Sequence, residues 1–164
     1  MPPKPKTDHA AMQELKHALR DNAPGRLYLF HGEEAYLRDY YLEQLKQTLL
    51  PPGLEEFNLH TAQGKDCSVE WLEQAVDYLP MMSQRTLVLV TDFDLYGQGE
   101  KDRERLIALF SDLPDYCCLV FVYDLLPYKA DGRSKLAAAI KAHGAVVNFQ
   151  RQEQGDLVAW IARH

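Results

Sequence analysis

The 164-residue chain has only 3 cysteines, and two of them, Cys117 and Cys118, are adjacent. That number and spacing supply neither a disulfide framework nor a zinc-ligand pattern, so a reducing, cytoplasmic setting is expected. No stretch approaches the roughly 20 consecutive apolar residues that span a bilayer, and no membrane contact is expected. The amino terminus, Met1-Pro2-Pro3-Lys4-Pro5-Lys6, has no apolar run behind it and does not read as a secretory signal. Positive charge is also scarce: 24 acids against 18 bases leave a formal net charge of −6. Domains that grip phosphates unaided ordinarily have the opposite sign, which argues against autonomous DNA binding. The histidines at 9, 17, 31, 60, 143 and 164 show no paired helical spacing, so no metal site is expected. No nucleophile elbow anchors Ser/His/Asp chemistry.

What is present is ordinary for a globular domain, with 46% hydrophobic and 26% charged residues. Residues 1–9 form a Pro/Lys-rich arm expected to be disordered, and a first helix is expected to follow Asp8 as its cap. Leu27-Tyr28-Leu29-Phe30, Thr86 to Val90 and Cys118 to Val122 are apolar runs without polar alternation, as in strands buried on both faces of a parallel sheet. Glu56 to His60 reads as a more exposed strand, and Ala145 to Phe149 as a fifth. Helical periodicity fills the gaps: Ala35 to Leu49, Ser68 to Leu79 with Pro80 as its stop, Glu100 to Leu113, and Lys135 to His143 with Gly144 at the left-handed closing position. Strands alternating with helices at short spacing specify an α/β fold, a doubly wound five-stranded parallel sheet with helices on both faces. Leu157, Trp160 and Ile161 share a face that has nothing left to pack on, so a domain boundary is expected near Gln150, with 151–164 opening a second, helical unit.

In such sheets ligands bind at the carboxyl ends of the strands. A phosphate-cradling turn after the first strand would need several glycines, a lysine and a Ser/Thr for Mg²⁺. The turn here is His31-Gly32-Glu33-Glu34-Ala35-Tyr36-Leu37: one glycine, two acids that would repel phosphate, no lysine and no hydroxyl. Asp92, Asp94 and Asp124 follow the next apolar strands and compose an alternative site, a receiver-like or Mg²⁺-dependent phosphoryl-transfer centre. Such a centre also needs a lysine after the fifth strand, where Phe149-Gln150-Arg151 stand; the blander reading makes the acids loop-tip groups, with Asp92 and Asp94 dispensable for folding. Cys117 and Cys118 read as small buried hydrophobes, and His143 as a cation at a helix end. The remaining anomaly is Tyr78-Leu79-Pro80-Met81-Met82-Ser83-Gln84-Arg85, which places two adaptable thioethers in a connection that ought to be short and polar.

The order of elements resembles the core of AAA+ ATPases with a degenerate phosphate loop. Leu87-Val88-Leu89-Val90-Thr91-Asp92 is similar to a Walker-B strand without its Asp-Glu pair. Leu27-Tyr28-Leu29-Phe30-His31-Gly32-Glu33-Glu34, followed by Leu79-Pro80-Met81-Met82-Ser83-Gln84-Arg85-Thr86-Leu87-Val88, resembles the delta subunit family of bacterial DNA polymerase III over residues 10–164. The resemblance implies a noncatalytic clamp-loader subunit whose first domain, 10–150, binds and opens the sliding clamp (the beta subunit) during DNA replication. It implies no ATP binding and no cofactor. The family's clamp-binding pair falls on Pro80 and Met81, with Leu79 and Met82 flanking, and Met81 stands where an aromatic is frequent. Gly32, Glu33 and Glu34 would be the vestigial phosphate loop, and 151–164 the start of the lid. The resemblance further implies contacts to the other loader subunits through a carboxyl-terminal domain, so that residues 1–164 alone are not expected to build the loader ring. Primed DNA would be met only within the complex.

Overall fold

The computed structural model describes residues 5–150, with side chains from Ala10 onward. Its elements run α1 (Pro5–Arg20), β1 (Leu27–His31), α2 (Ala35–Leu49), α3 (Glu55–Asn58), β2 (Leu59–Gln63), α4 (Val69–Asp77), β3 (Thr86–Thr91), α5 (Glu100–Ser111), β4 (Cys117–Val122), α6 (Lys135–His143) and β5 (Ala145–Asn148). The five strands form one sheet in the order β2-β3-β4-β1-β5, and every neighbouring pair is parallel. This is the expected doubly wound α/β architecture.

The apolar runs are explained by two cores, one on each face of the sheet. In β1, Leu27 and Leu29 enter one core and Tyr28 and Phe30 the other. In β4, Leu119 and Phe121 go one way and Cys118, Val120 and Val122 the other. Successive side chains of a strand leave opposite faces, so a strand covered on both sides must be apolar at every position. The first core is closed by Leu72 and Val76 of α4, Leu106 and Phe110 of α5, and Leu136 and Ile140 of α6. The second is closed by Leu15 of α1 and by Leu37, Tyr41, Leu45 and Leu49 of α2. The edge strand β2, exposed or half-buried along its length, lacks this pattern.

Helix α5 stops at Ser111 rather than Leu113, and four further features differ from the sequence expectation, each for a local reason. The first helix begins at Pro5 rather than after Asp8, within the arm expected over residues 1–9. Proline is at home there, because the first turn of a helix has no use for its missing N–H. The strand expected from Glu56 begins at Leu59; Asn58 is buried, and its side-chain amide bonds back to the Leu54 carbonyl, closing a helical turn over Glu55–Asn58. Helix α4, capped by Ser68 Oγ accepting from the Trp71 N–H, ends at Asp77, so Leu79 lies beyond it instead of on its apolar face. Leu79 precedes Pro80, and the proline ring disfavours helical geometry in the residue before it. Gly144 closes α6 in an extended conformation (φ −144°), not a left-handed one. A side chain at Gly144 would meet Leu27 at 2.6 Å, so packing against β1 is what requires glycine there. Residues 151–164, with the expected lid, lie outside the described residues.

Candidate functional site

All strands being parallel, the connection 78–85 before β3 and the turn 32–34 after β1 lie at opposite ends of the sheet. The amino-end connection carries a concentration of exposed apolar side chains: Tyr78, Leu79 (72% exposed), Met81 (54%) and Met82 (85%). Pro80 between them is half-buried. Only Tyr36, Phe57 and Leu125 are comparable large exposed hydrophobics among the described residues.

The backbone beneath these side chains is tied at both ends. Asn58 Oδ1 accepts from the Met81 N–H at 2.7 Å, and Asn58 Nδ2 donates to the Met81 carbonyl at 3.0 Å. Met82 has a left-handed backbone (φ 54°), which is uncommon for a bulky residue and turns the chain sharply. Ser83 Oγ donates to the Arg85 carbonyl and accepts from its N–H. The Arg85 guanidinium donates to the carbonyls of Pro24, Gly25, Tyr116 and Cys117, joining the connection to the segments that enter β1 and β4. Tyr116 Oη donates to the Asp77 carbonyl at the end of α4, and the Tyr78 ring stacks on His60 at 4.8 Å. Burial lowers the His60 pKa below its ordinary value, and its buried Nε2 has no hydrogen-bond partner. The sequence alone assigns Asn58 and His60 no part here and marks Arg85 only as the end of the stretch 78–85. A buried asparagine at a turn and an arginine beside an apolar connection are too common to read without coordinates.

At the carboxyl end, the turn Gly32-Glu33-Glu34 is drawn against β5. The Glu34 N–H, at the entrance to α2, donates to the Phe149 carbonyl at 2.9 Å, and the Phe149 N–H donates to the His31 carbonyl at 2.7 Å. Gly32 has φ 122°, and a Cβ there would come within 2.6 Å of both the Phe149 backbone and the Asn148 side chain. An N–H that a phosphate loop would aim at its ligand is thus engaged by the protein itself.

The three aspartates of the alternative reading each have a structural partner. Asp92, itself left-handed (φ 58°), accepts through its carboxylate from the N–H groups of Asp124, Leu125 and Leu126. Asp124 pairs with the buried guanidinium of Arg38 at 3.0 Å, which also donates to the Tyr123 carbonyl. Asp94 accepts from the Gly97 N–H at 3.1 Å. Asp92 is therefore a capping group of the turn after β4. No group of three or more potential metal ligands converges among the described residues. Cys117 and Cys118 are buried in β4 as expected, and burial pushes their thiols up to about 11 and about 12. Among the described residues, no helix is long and apolar enough to cross a membrane.

Comparison with known proteins places this geometry in a family. The sequence model of the family described as DNA polymerase III, delta subunit, matches residues 28–150. DNA polymerase III subunit delta of Bacillus subtilis is 32% identical over 149 residues, covering 84% of this chain and 42% of that relative. Among solved structures, the DNA clamp loader delta protein of Bacillus subtilis superposes with a TM-score of 0.74 at 20% identity, over 92% of this chain and 46% of that one. A gamma-subunit-related DNA polymerase III protein of Thermotoga maritima gives 0.56 at 18% identity, covering 89% of this chain and 49% of its own. A RuvB variant of the same organism gives 0.52 at 13% identity, covering 98% and 50%. The chain thus spans about half or less of the length of the proteins it matches, and the last two likenesses show the fold alone. On the family match and the sequence identity together, the chain belongs to the DNA polymerase III delta subunit family.

Proposed function

We propose that this chain is the clamp-contacting domain of a clamp-loader subunit, and that Leu79, Pro80, Met81 and Met82 enter an apolar pocket on the sliding clamp and help to open it. The observation that carries this reading is the combination at the amino end of the sheet: exposed apolar side chains on a backbone held by Asn58 and Arg85. A pre-formed segment loses less conformational freedom on docking, so more of its contact energy is left as affinity. Methionines fit the role, because an unbranched thioether adapts its shape to a groove.

The domain acts without nucleotide chemistry of its own. The turn 32–34 offers neither lysine nor hydroxyl, and the Glu34 N–H is engaged by Phe149. In the replication complex, the proposed partners are the clamp and the other loader subunits, with primed DNA met only through the assembly, in the cytoplasm. The net charge of −6 accords with that division of labour. Titration of the 164-residue chain with a purified bacterial sliding clamp tests the central part. Saturable binding that a Leu79→Ala, Met81→Ala double variant loses is the expected result; wild-type binding by that variant, or none by the wild type, contradicts it. A parallel titration with a fluorescent ATP analogue and Mg²⁺ is expected to show no micromolar binding.

A further inference from the structure

We infer that Asn58 is a positioning residue for partner binding: its side-chain amide fixes the Met81 backbone in the shape that presents Leu79, Met81 and Met82 to an apolar pocket. This rests on the reading that these residues contact the clamp. Asn58 is fully buried, so it cannot touch a partner, and any effect on affinity must pass through what it holds. Its amide has one consistent orientation: Nδ2 donates to the carbonyls of Leu54 and Met81, both at 3.0 Å, which turns Oδ1 to the Met81 N–H at 2.7 Å. Both backbone groups of a single residue are therefore held by one side chain, which itself is held by the turn that precedes β2.

The neighbouring residue shows why a tie is needed. Met82 occupies left-handed backbone space that a methionine does not favour, and such conformations persist only where their surroundings over-determine them. Beyond it, Arg85 anchors the chain to the segments entering β1 and β4. These two anchors bound a short arch over residues 82–84, with Leu79 and Pro80 directly on the amino side of the Met81 tie. With the Asn58 anchor removed, the arch samples other shapes, and the apparent dissociation constant rises as the inverse of the fraction still competent to bind.

The test compares Asn58→Ala, Asn58→Leu, Met81→Ala and a control, Val90→Ala, in the 164-residue chain. Leucine fills the asparagine's space without its hydrogen bonds, which preserves the test if the alanine variant fails to fold. Val90 is buried near the carboxyl end of β3, at the far end of that strand from the Met81 tie, and reports the effect of general destabilisation. Clamp affinity is read by calorimetry well below every melting temperature, and exchange of the Met81 amide by NMR on the unbound protein. If the competent fraction falls to about one in ten, the Asn58 variants bind roughly tenfold more weakly. Their Met81 amide should exchange faster, with both properties unchanged in Val90→Ala. Wild-type affinity in a folded Asn58 variant, alongside lost affinity in Met81→Ala, overturns the positioning role and leaves the clamp contact standing. Absence of clamp binding by the wild type overturns both.

Discussion

The two ends of the sheet use polar side chains in opposite ways. At the carboxyl end, polar groups turn inward and satisfy one another: Glu34 N–H on Phe149, Asp92 on the turn 124–126, Arg38 on Asp124 and Tyr123. At the amino end, Asn58 and Arg85 hold the backbone of a connection whose apolar side chains are left in solvent. The first arrangement closes a place where this fold class ordinarily receives a ligand. The second leaves open a surface that a soluble domain would otherwise bury or replace with polar residues. One fold can thus satisfy its polar groups internally at one end while apolar side chains are held in solvent at the other.

The largest loss of stability is expected at Gly32. Gly32→Ala forces a side chain into left-handed backbone space and against Phe149, and is expected to cost about 3 kcal/mol or more of stability. Urea unfolding checks the cost, and the folded fraction should retain its clamp affinity. A smaller effect is expected for Asp92→Ala, which leaves three N–H groups without their carboxylate acceptor and should cost about 1–3 kcal/mol. If Asp92→Ala unfolds at the wild-type urea midpoint, the carboxyl end is less dependent on its internal ties than described.

The smallest effect concerns His60, beneath Tyr78. Burial lowers the folded-state pKa below the unfolded value of about 6.5, so the unfolded chain binds more protons in the window below that pH. The associated stability is fully present above about pH 6.5 and is lost as pH falls through the depressed folded value. Urea midpoints at pH 7.5 and 5.5 should therefore fall further for the wild type than for His60→Phe, which keeps a ring against Tyr78 but does not titrate. An equal fall in both would remove His60 from the account.

The fold was legible where burial imposes a pattern. The apolar runs of β1, β3 and β4 and the helices Ala35–Leu49 and Lys135–His143 follow from which faces are covered, and the covered faces are written in residue type. The turn at Glu55–Asn58 was not legible, because it depends on a side-chain bond to Leu54 and on a residue 23 positions away, Met81. Gly144 was assigned the right place for the wrong reason, since close packing on Leu27 cannot be seen from local sequence. The missing lysine and hydroxyl after β1 are visible in the sequence, but the hydrogen bonds that tie the turn 32–34 to Phe149 are tertiary contacts. Likewise, the apolar character of Leu79 to Met82 was visible, and the ties beneath it were not.

The most direct test of the central claim is a paired measurement on Met81→Ala: clamp affinity by calorimetry and melting temperature on the same preparation. Met81 is exposed, and interfaces concentrate their energy in a few anchors, so truncation should weaken clamp binding by about 2 kcal/mol or more while the melting temperature barely moves. A buried core methionine would behave in the reverse way, losing about 2–5 kcal/mol of folding stability. An early-melting Met81→Ala whose folded fraction binds the clamp at full strength would contradict the account.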